Sequence, residues 1–191
     1  MRKVIVLLHA SLDGFVEGPK GDMDIQWISY DKEMEMNSKA VFSNIDTVLW
    51  GTKTYLAMKK YWPIVPSLPS PSTFEREHSK WLDRTTKIIF SSSLESVDWI
   101  NTRLVKQNAA DEIKKLKQQP GKDMIIIGSP RFSHYLLQQG LVDEYQMTIS
   151  PVLLGKGLPL FQDVSERIKL RLLDNKVFRS GALALHYQVN S

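Results

Sequence analysis

The feature that most constrains this chain is a strand–turn–helix–strand pattern over residues 124–161. It opens with an unbroken apolar run at residues 124–127, which is typical of a strand buried on both faces of a parallel sheet. Gly128 then permits a tight turn, and Ser129 and Pro130 are typical of a helix start. The pattern predicts a βαβ unit whose helix begins at the carboxyl end of a central strand. Such a helix N-terminus favours anions, because free backbone amides and the helix dipole point toward it.

The rest of the sequence continues this α/β pattern. Further strands are predicted over residues 3–9, 47–50, 87–90 and 103–105, and helices over 29–42, 73–82 and 108–121, with one more opening directly after residue 51. Ser29 is the predicted cap of the first helix. Beyond residue 161, polar and apolar residues alternate, which predicts antiparallel strands with a turn at 174–176.

Two irregular segments are predicted between these elements. Residues 11–26 are rich in glycine and acidic residues and follow the first strand, so we interpret them as a mobile segment in the position of a substrate lid. Residues 61–73 contain four prolines and are predicted to form a stiff loop that is neither helix nor strand.

Composition narrows the class of protein. With 191 residues, of which 42% are apolar, the chain has enough material for one full core, and we expect a single domain over residues 1–191. The absence of cysteine excludes disulfides and thiolate catalysis and suits a cytoplasmic location. No run approaches the ~20 apolar residues that a membrane span needs, so no membrane partner is expected. The net charge of +4 is spread along the chain, which suits a phosphorylated cofactor at least as well as nucleic acid.

The pentapeptide Gly-Thr-Lys-Thr-Tyr at residues 51–55 is a candidate phosphate-binding turn, because it joins a predicted strand to a helix. Backbone amides, two hydroxyls and one ammonium meet there, and this set suits a pyrophosphate. On the pentapeptide alone, an ordinary strand-to-helix turn with threonine caps is the simpler interpretation.

Other common sites are not indicated. The four histidines, His9, His78, His134 and His186, lack the spacing of metal ligands, so no metal site is predicted. The sequence has no Gly-x-Ser-x-Gly, phosphate-loop lysine or Gly-x-Gly-x-x-Gly motif, which argues against a common hydrolase, an NTPase and an ordinary Rossmann dehydrogenase.

Three motifs together resemble those of the dihydrofolate-reductase-like superfamily: Ser-Leu-Asp-Gly-Phe at 11–15, the pentapeptide at 51–55 and the block at 128–161. The nearer branch contains the reductase domain of bacterial bifunctional riboflavin-biosynthesis deaminase-reductases. The resemblance implies a three-layer α/β/α fold with a mainly parallel central sheet and antiparallel C-terminal strands. It also implies a cytoplasmic homodimer that uses NADPH to reduce a pterin, folate or pyrimidine-type heterocycle. The chain lacks the zinc motif of the fused deaminase, which makes a dedicated role in riboflavin synthesis less expected.

The resemblance also implies which residues bind the cofactor. Residues of three strand ends are implicated: Gly51, Thr52, Lys53 and Thr54 for the pyrophosphate, Ser91 and Ser92 for the adenosine end, and Gly128, Ser129 and Arg131 for the second helix entry. Two of them depart from the family pattern. Thr52 replaces the usual arginine, and Ser129 replaces the second glycine of dihydrofolate reductases.

A reductase of this type needs a carboxylate near its substrate, because hydride addition to the carbon of a C=N bond requires a proton on the nitrogen. The resemblance points to the first helix, where Asp31 and Glu35 are candidates. Asp13 is a third candidate, with a turn carboxylate as the alternative interpretation. Asp143 and Glu144 are interpreted as structural.

The alternative function is a noncatalytic nucleotide- or pterin-binding module on the same fold, which the Thr52 departure favours. A nucleic-acid binder is disfavoured, because no basic-aromatic cluster is visible in the sequence.

Overall fold

The computed structural model describes residues 1–21, 23–28, 30–162 and 164–190. Its strands, in chain order, are β1 (Val4–Ser11), β2 (Phe15–Glu17), β3 (Ile45–Gly51), β4 (Thr86–Phe90), β5 (Thr102–Val105), β6 (Asp123–Ile127), β7 (Glu144–Ser150), β8 (Leu158–Pro159), β9 (Leu170–Val177) and β10 (Leu183–Val189). The helices are α1 (Lys32–Phe42), α2 (Thr52–Tyr61), α3 (Thr73–Arg84), α4 (Ala109–Gln118) and α5 (Pro130–Gln138), with a 3₁₀ helix at Trp62–Ser67.

Eight strands form one sheet in the order β5-β4-β3-β6-β1-β7-β10-β9. The six strands from β5 to β7 pair in parallel, and β10 pairs antiparallel with both β7 and β9. This arrangement confirms the predicted α/β fold with a mainly parallel sheet and antiparallel C-terminal strands. The short strands β2 and β8 pair with each other outside this sheet.

Helices cover both faces of the central strands, which explains the unbroken apolar runs. In β1, Val4 and Val6 pack with residues of α4 and α5, whereas Ile5 and Leu7 pack with residues of α1, α2 and α3. Each fully buried aliphatic side chain of this kind contributes about 1.5–3 kcal/mol to stability. A polar residue on either face of β1 would forfeit that contribution.

The βαβ unit that dominates the sequence is held by Asp143, which lies between α5 and β7. Its Oδ2 accepts hydrogen bonds from the Val4 amide at 2.7 Å and from the buried Lys117 ammonium at 2.6 Å. The carboxylate therefore joins β1, α4 and the entry to β7, as expected of a structural residue.

Several sequence predictions of local structure are wrong. The segment 61–73, predicted to be a loop, contains a 3₁₀ helix, Trp62–Ser67. Pro63 lies in the first turn of this helix, where its missing N–H costs no hydrogen bond. The predicted turn at 174–176 lies within β9, because its residues pair with β10; the chain turns instead around Gly181, whose φ is +84°. The predicted lid segment contains β2. Ser29 lies outside the described residues, and Asp31 caps α1.

His78 of α3 and the four rings around it form an aromatic cluster. Its imidazole centroid lies 4.4 Å from that of Trp62, 5.0 Å from Phe42, 5.3 Å from Trp81 and 5.5 Å from Phe74. Burial lowers the pKa of His78 to about 4, because the protonated ring would lose its hydration among these rings. His78 is therefore neutral at physiological pH.

No helix in the described ranges has both the length and the apolar character that crossing a membrane requires.

The aromatic cluster predicts a pH-dependent stability. An unfolded histidine titrates near its ordinary pKa of 6.5, well above the folded value of about 4, so the unfolded chain binds more protons between these values. Stability is thus fully present above pH 6.5 and falls as the pH drops toward 4. The slope of the free energy of unfolding against pH measures this effect. The variant His78→Phe, which keeps an aromatic ring in the cluster, is expected to reduce that slope by about 1.4 kcal/mol per pH unit. Urea unfolding of both proteins from pH 7 to 4.5 measures it, and equal slopes would contradict it.

Candidate functional site

A cavity of about 500 Å³ opens at the carboxyl ends of β1, β3 and β6, between these strands and helices α1, α2 and α3. Most of its wall is apolar or aromatic: Leu7, Leu8, Val16, Met23, Ile25, Ile28, Tyr30, Phe42, Trp50, Met58, Tyr61, Trp62, Phe74 and Ile127. Trp50 is held by a 2.9 Å hydrogen bond from its indole nitrogen to the Ile127 carbonyl. The volume and the flat aromatic walls suit a small planar ring.

The three candidate carboxylates lie in different environments. Asp13 accepts hydrogen bonds from the Ser11 hydroxyl at 2.6 Å and the Gly155 amide at 2.7 Å, so it ties two loops together. These bonds, led by that from Ser11, lower the pKa of Asp13. Asp31 caps α1 by accepting from the Met34 amide at 2.8 Å. Only Glu35 of the three lines the cavity.

Glu35 is distinguished from the other carboxylates of the wall by its lack of a partner. Glu17 is bound by Lys53 at 3.0 Å, and Glu75 accepts hydrogen bonds from the Tyr61 hydroxyl and the Ser72 amide. The Glu35 carboxylate has no hydrogen bond or ion pair within the ranges that the structure describes, although the Glu35 backbone amide donates to the Asp31 carbonyl. Its oxygens are thus available to a ligand.

Two neutral histidines add polar atoms to the wall. Burial lowers the pKa of His9 to about 4, as it does for His78. Nδ1 of each ring is buried and has no hydrogen-bond partner among the described residues. Each of these nitrogens is thus a buried polar group that the described residues leave unpaired.

Beside the cavity, the starts of α2 and α5 lie against each other. The Gly51 amide donates to the Ser129 hydroxyl at 3.1 Å, and a Cβ on Gly128 would lie 3.6 Å from the Thr54 methyl group. Neither helix has a side-chain hydrogen bond at its N-cap, Gly51 or Ser129. Their first amides are therefore available to an anion at the edge of the cavity.

The other predicted cofactor residues lie around these two helix starts. The Thr52 hydroxyl donates to the Ser91 hydroxyl at 2.7 Å, which joins the ends of β3 and β4. Ser92 is exposed on the loop after β4, and Arg131 is exposed in the first turn of α5. Lys53 points toward β2, where it pairs with Glu17. The structure thus brings the predicted residues to one edge of the sheet but commits Lys53 to a protein carboxylate.

Sequence reasoning missed the contributions of Glu17, His9, His78 and the 3₁₀ helix to this site. His9 and His78 were considered only as metal ligands, whose spacing they lack. A usable signal for His9 was its position at the end of a predicted central strand, where ligand-facing residues occur in α/β folds. His78 gave no such signal, because two of the rings that surround it, Phe42 and Trp62, are distant in sequence.

Comparison with known proteins identifies the family of this chain. Residues 2–184 match the family of the RibD C-terminal domain. The uncharacterized Bacillus subtilis (strain 168) protein YyaP is 34% identical over 189 residues, which cover 99% of this chain and 96% of YyaP. The uncharacterized protein YwjB from the same organism is 28% identical over 187 residues, with 97% of each chain covered.

Solved structures share the fold at lower identity. A Shewanella sp. PV-4 protein named for riboflavin biosynthesis has a TM-score of 0.77 at 19% identity, with 99% of both chains covered. A Thermotoga maritima diaminohydroxyphosphoribosylaminopyrimidine deaminase/5-amino-6-(5-phosphoribosylamino)uracil reductase has a TM-score of 0.68 at 16% identity. The match covers 99% of this chain and 57% of that chain. Enterococcus faecalis dihydrofolate reductase, complexed with NADP(H) and RAB-propyl, has a TM-score of 0.61 at 12% identity, with 99% of this chain and 97% of that chain covered.

The fold is therefore dihydrofolate-reductase-like, as the sequence motifs predicted. By its family match and its 34% identity to YyaP, the chain belongs to the RibD C-terminal domain family.

Proposed function

We propose that this protein is an NADPH-dependent reductase that transfers hydride to a pterin, folate or pyrimidine-type heterocycle. The observation that carries the proposal is the meeting of an aromatic cavity with two uncapped helix N-termini at the carboxyl ends of β3 and β6. A planar ring and a diphosphate are the two chemical parts that such a cleft suits. The likeness to a dihydrofolate reductase complexed with NADP(H) supports the same pairing.

The groups at the helix starts fit the diphosphate of NADPH. Amides of α2 and α5 supply donors, and the left-handed backbone of Gly128 and Ser129, with φ of 70° and 51°, turns the chain into α5. Thr52 adds a hydroxyl on the diphosphate side, and Ser91, its hydrogen-bond partner, belongs with Ser92 to the adenosine end. Thr54 lies beneath Gly128. When bound, NADPH supplies a hydride. Ser92 and Arg131, both exposed, are the proposed contacts of the adenosine end and of the outer phosphate oxygens.

In the proposed reaction the aromatic walls hold the ring flat, and Glu35 accepts hydrogen bonds from its amino and N–H groups. NADPH would supply the hydride for the carbon of a C=N bond. The nitrogen would take a proton from a water molecule that Glu35 orients, and bulk water would reprotonate the hydroxide that is left. Because Asp13 and Asp31 are committed to loop and helix amides, Glu35 is the carboxylate assigned to this role. The neutral state of His9 leaves it able to donate or accept a hydrogen bond at the same wall.

We further propose that residues 1–191 act as one domain in a cytoplasmic homodimer. Apolar side chains of the β9–β10 hairpin, Leu172, Val177 and Leu183, are exposed by 47%, 66% and 38%, and such exposure is typical of an association surface.

The variant Glu35→Gln tests the assigned carboxylate. It should lower kcat/KM by on the order of 10²-fold for the best substrate of a pterin, folate and pyrimidine panel, because it removes the charge that orients ring and water. Its NADPH affinity should be unchanged, since Glu35 belongs to α1, and none of the proposed cofactor contacts lies on that helix. The matched control Asp31→Asn removes a charge from the same helix but keeps a good cap, so its activity should stay within about twofold. Equal losses in both variants would contradict the assignment.

A noncatalytic binding module is the second candidate function, and Thr52 is the observation that favours it. Thr52→Arg restores the side chain that the family usually has there and should tighten NADPH binding about tenfold through a charge-assisted contact. Thr52→Met, which adds length without charge, is the control. Fluorescence titration and steady-state turnover distinguish the candidates: tighter binding with raised turnover supports the reductase, and tighter binding without turnover supports the module.

A further inference from the structure

Lys87 is a charged residue in the core, behind the cavity wall. It lies on β4 and is fully buried, and the residues that pair with it in the sheet, Val48 of β3 and Thr102 of β5, are uncharged. Burial of an ammonium ion costs free energy because the ion loses its hydration, whereas an apolar side chain of similar length has no such cost. The contacts of this ammonium therefore decide what the charge contributes.

The Lys87 ammonium binds the end of α3. It donates to the Leu82 carbonyl at 2.6 Å and, at 3.0 Å, to the carbonyl of Thr85, the C-cap residue. The last carbonyls of a helix lack partners within the helix and carry the negative end of its dipole, so a cation is stabilised there. The same helix supplies Phe74 and His78 to the cavity wall. Lys87 thus fixes one end of a helix that forms part of this wall.

The same ammonium also contacts Trp99. It lies 4.9 Å from the centre of the Trp99 ring, a distance at which an aromatic ring attracts a cation. The indole nitrogen of Trp99 donates to Asp83 of α3 at 2.9 Å. The Trp99 ring stacks on Trp50, with 5.9 Å between the ring centroids and 20° between the planes. Because Trp50 lines the cavity, the position of Trp99 restricts where this part of the wall can lie.

We infer that Lys87 is a positioning residue of the cavity, whose ammonium holds Trp50 through Trp99 and holds the lining residues of α3 through the last carbonyls of that helix. Both contacts weaken when the ammonium loses its proton, because a neutral amine is a poorer donor and is not attracted to the ring as a cation is. The inference goes beyond the proposed function, since it does not depend on which molecule the cavity binds.

The proton of Lys87 can be removed under mild conditions. Burial lowers the pKa of Lys87 from 10.5 to about 8, and the Asp83 carboxylate of α3 opposes this shift only in part. Other titratable side chains on the surrounding segments include Arg84, Asp98 and Arg103, which are exposed, and Tyr55 of α2, which donates to Asp98. Deprotonation of Lys87 therefore separates its effect from that of ordinary lysines, which titrate at higher pH.

The indole N–H signals of Trp50 and Trp99 in nuclear magnetic resonance test the inference in the unliganded protein. Each indole donates one hydrogen bond of 2.9 Å, to the Ile127 carbonyl and to Asp83 respectively. Both signals are expected to shift along one curve with a midpoint at about pH 8. The indole of Trp27, which donates to a carbonyl of its own loop, is the internal control and should not follow this curve. A shift of Trp99 alone, or of neither ring, would overturn the inference.

Variants identify the group that titrates. Lys87→Met removes the charge and should abolish the midpoint, and its Trp50 indole hydrogen should exchange with solvent about tenfold faster than in the wild type. Lys87→Arg keeps a charge at every pH of the titration, so both signals should stay at their low-pH positions and exchange should remain slow. The control Lys80→Met removes an equal charge from an exposed position of α3 and should change neither signal.

These variants also distinguish positioning from a purely structural role. A structural role alone would change the free energy of unfolding and leave Trp50 exchange equal in Lys87→Met and Lys87→Arg, and this result would overturn the inference. If Lys87→Met does not fold, the wild-type titration and Lys87→Arg decide instead: a midpoint at about pH 8 that persists in Lys87→Arg would contradict the role of Lys87.

Discussion

The site depends on the insertion of β6 between β3 and β1, with parallel pairing on both sides. Because β3 leads into α2 and β6 leads into α5, this pairing places the N-termini of the two helices side by side. The 3.1 Å hydrogen bond from the Gly51 amide to the Ser129 hydroxyl is the direct consequence. The strand order also leaves a crevice at the carboxyl ends of β1, β3 and β6, where ligands bind in open α/β sheets.

The two halves of this crevice differ in electrostatic character. Backbone amides and helix dipoles at the starts of α2 and α5 favour phosphate groups, and the chain adds few cations there, since Lys53 is paired with Glu17. The cavity beneath α1 and α3 combines aromatic walls with the unpaired carboxylate of Glu35. A dinucleotide and an amino-substituted ring therefore find complementary surroundings in adjacent halves. Thr52 provides a hydroxyl where the resembled family usually has the charge of an arginine. Phosphate binding at the starts of α2 and α5 would therefore depend mainly on backbone donors.

The sequence was informative where local chemistry determines structure. Strands β1, β3, β4 and β6 were recognisable because both of their faces are buried, and the start of α5 because glycine, serine and proline each suit one position of the turn. Nonlocal contacts were not recognisable. The turn residues Asp174 and Asn175 lie in a strand because β10 pairs with them, and His78 joins the cavity because α3 and the 3₁₀ helix pack over α1. Among the acidic residues, composition alone did not separate Glu35, which faces the cavity, from Asp13 and Asp31, which bind backbone amides.

The proposed function depends on the binding of a nicotinamide dinucleotide phosphate in this cleft, beside the aromatic cavity. Titration of the protein with NADPH, and separately with NADH, tests it most directly, because Trp50 is fully buried, lines the cavity and directly precedes the first helix entry. We expect saturable quenching of tryptophan emission with energy transfer to the nicotinamide, with a dissociation constant in the micromolar range that is lower for NADPH than for NADH. No binding of either dinucleotide would contradict it.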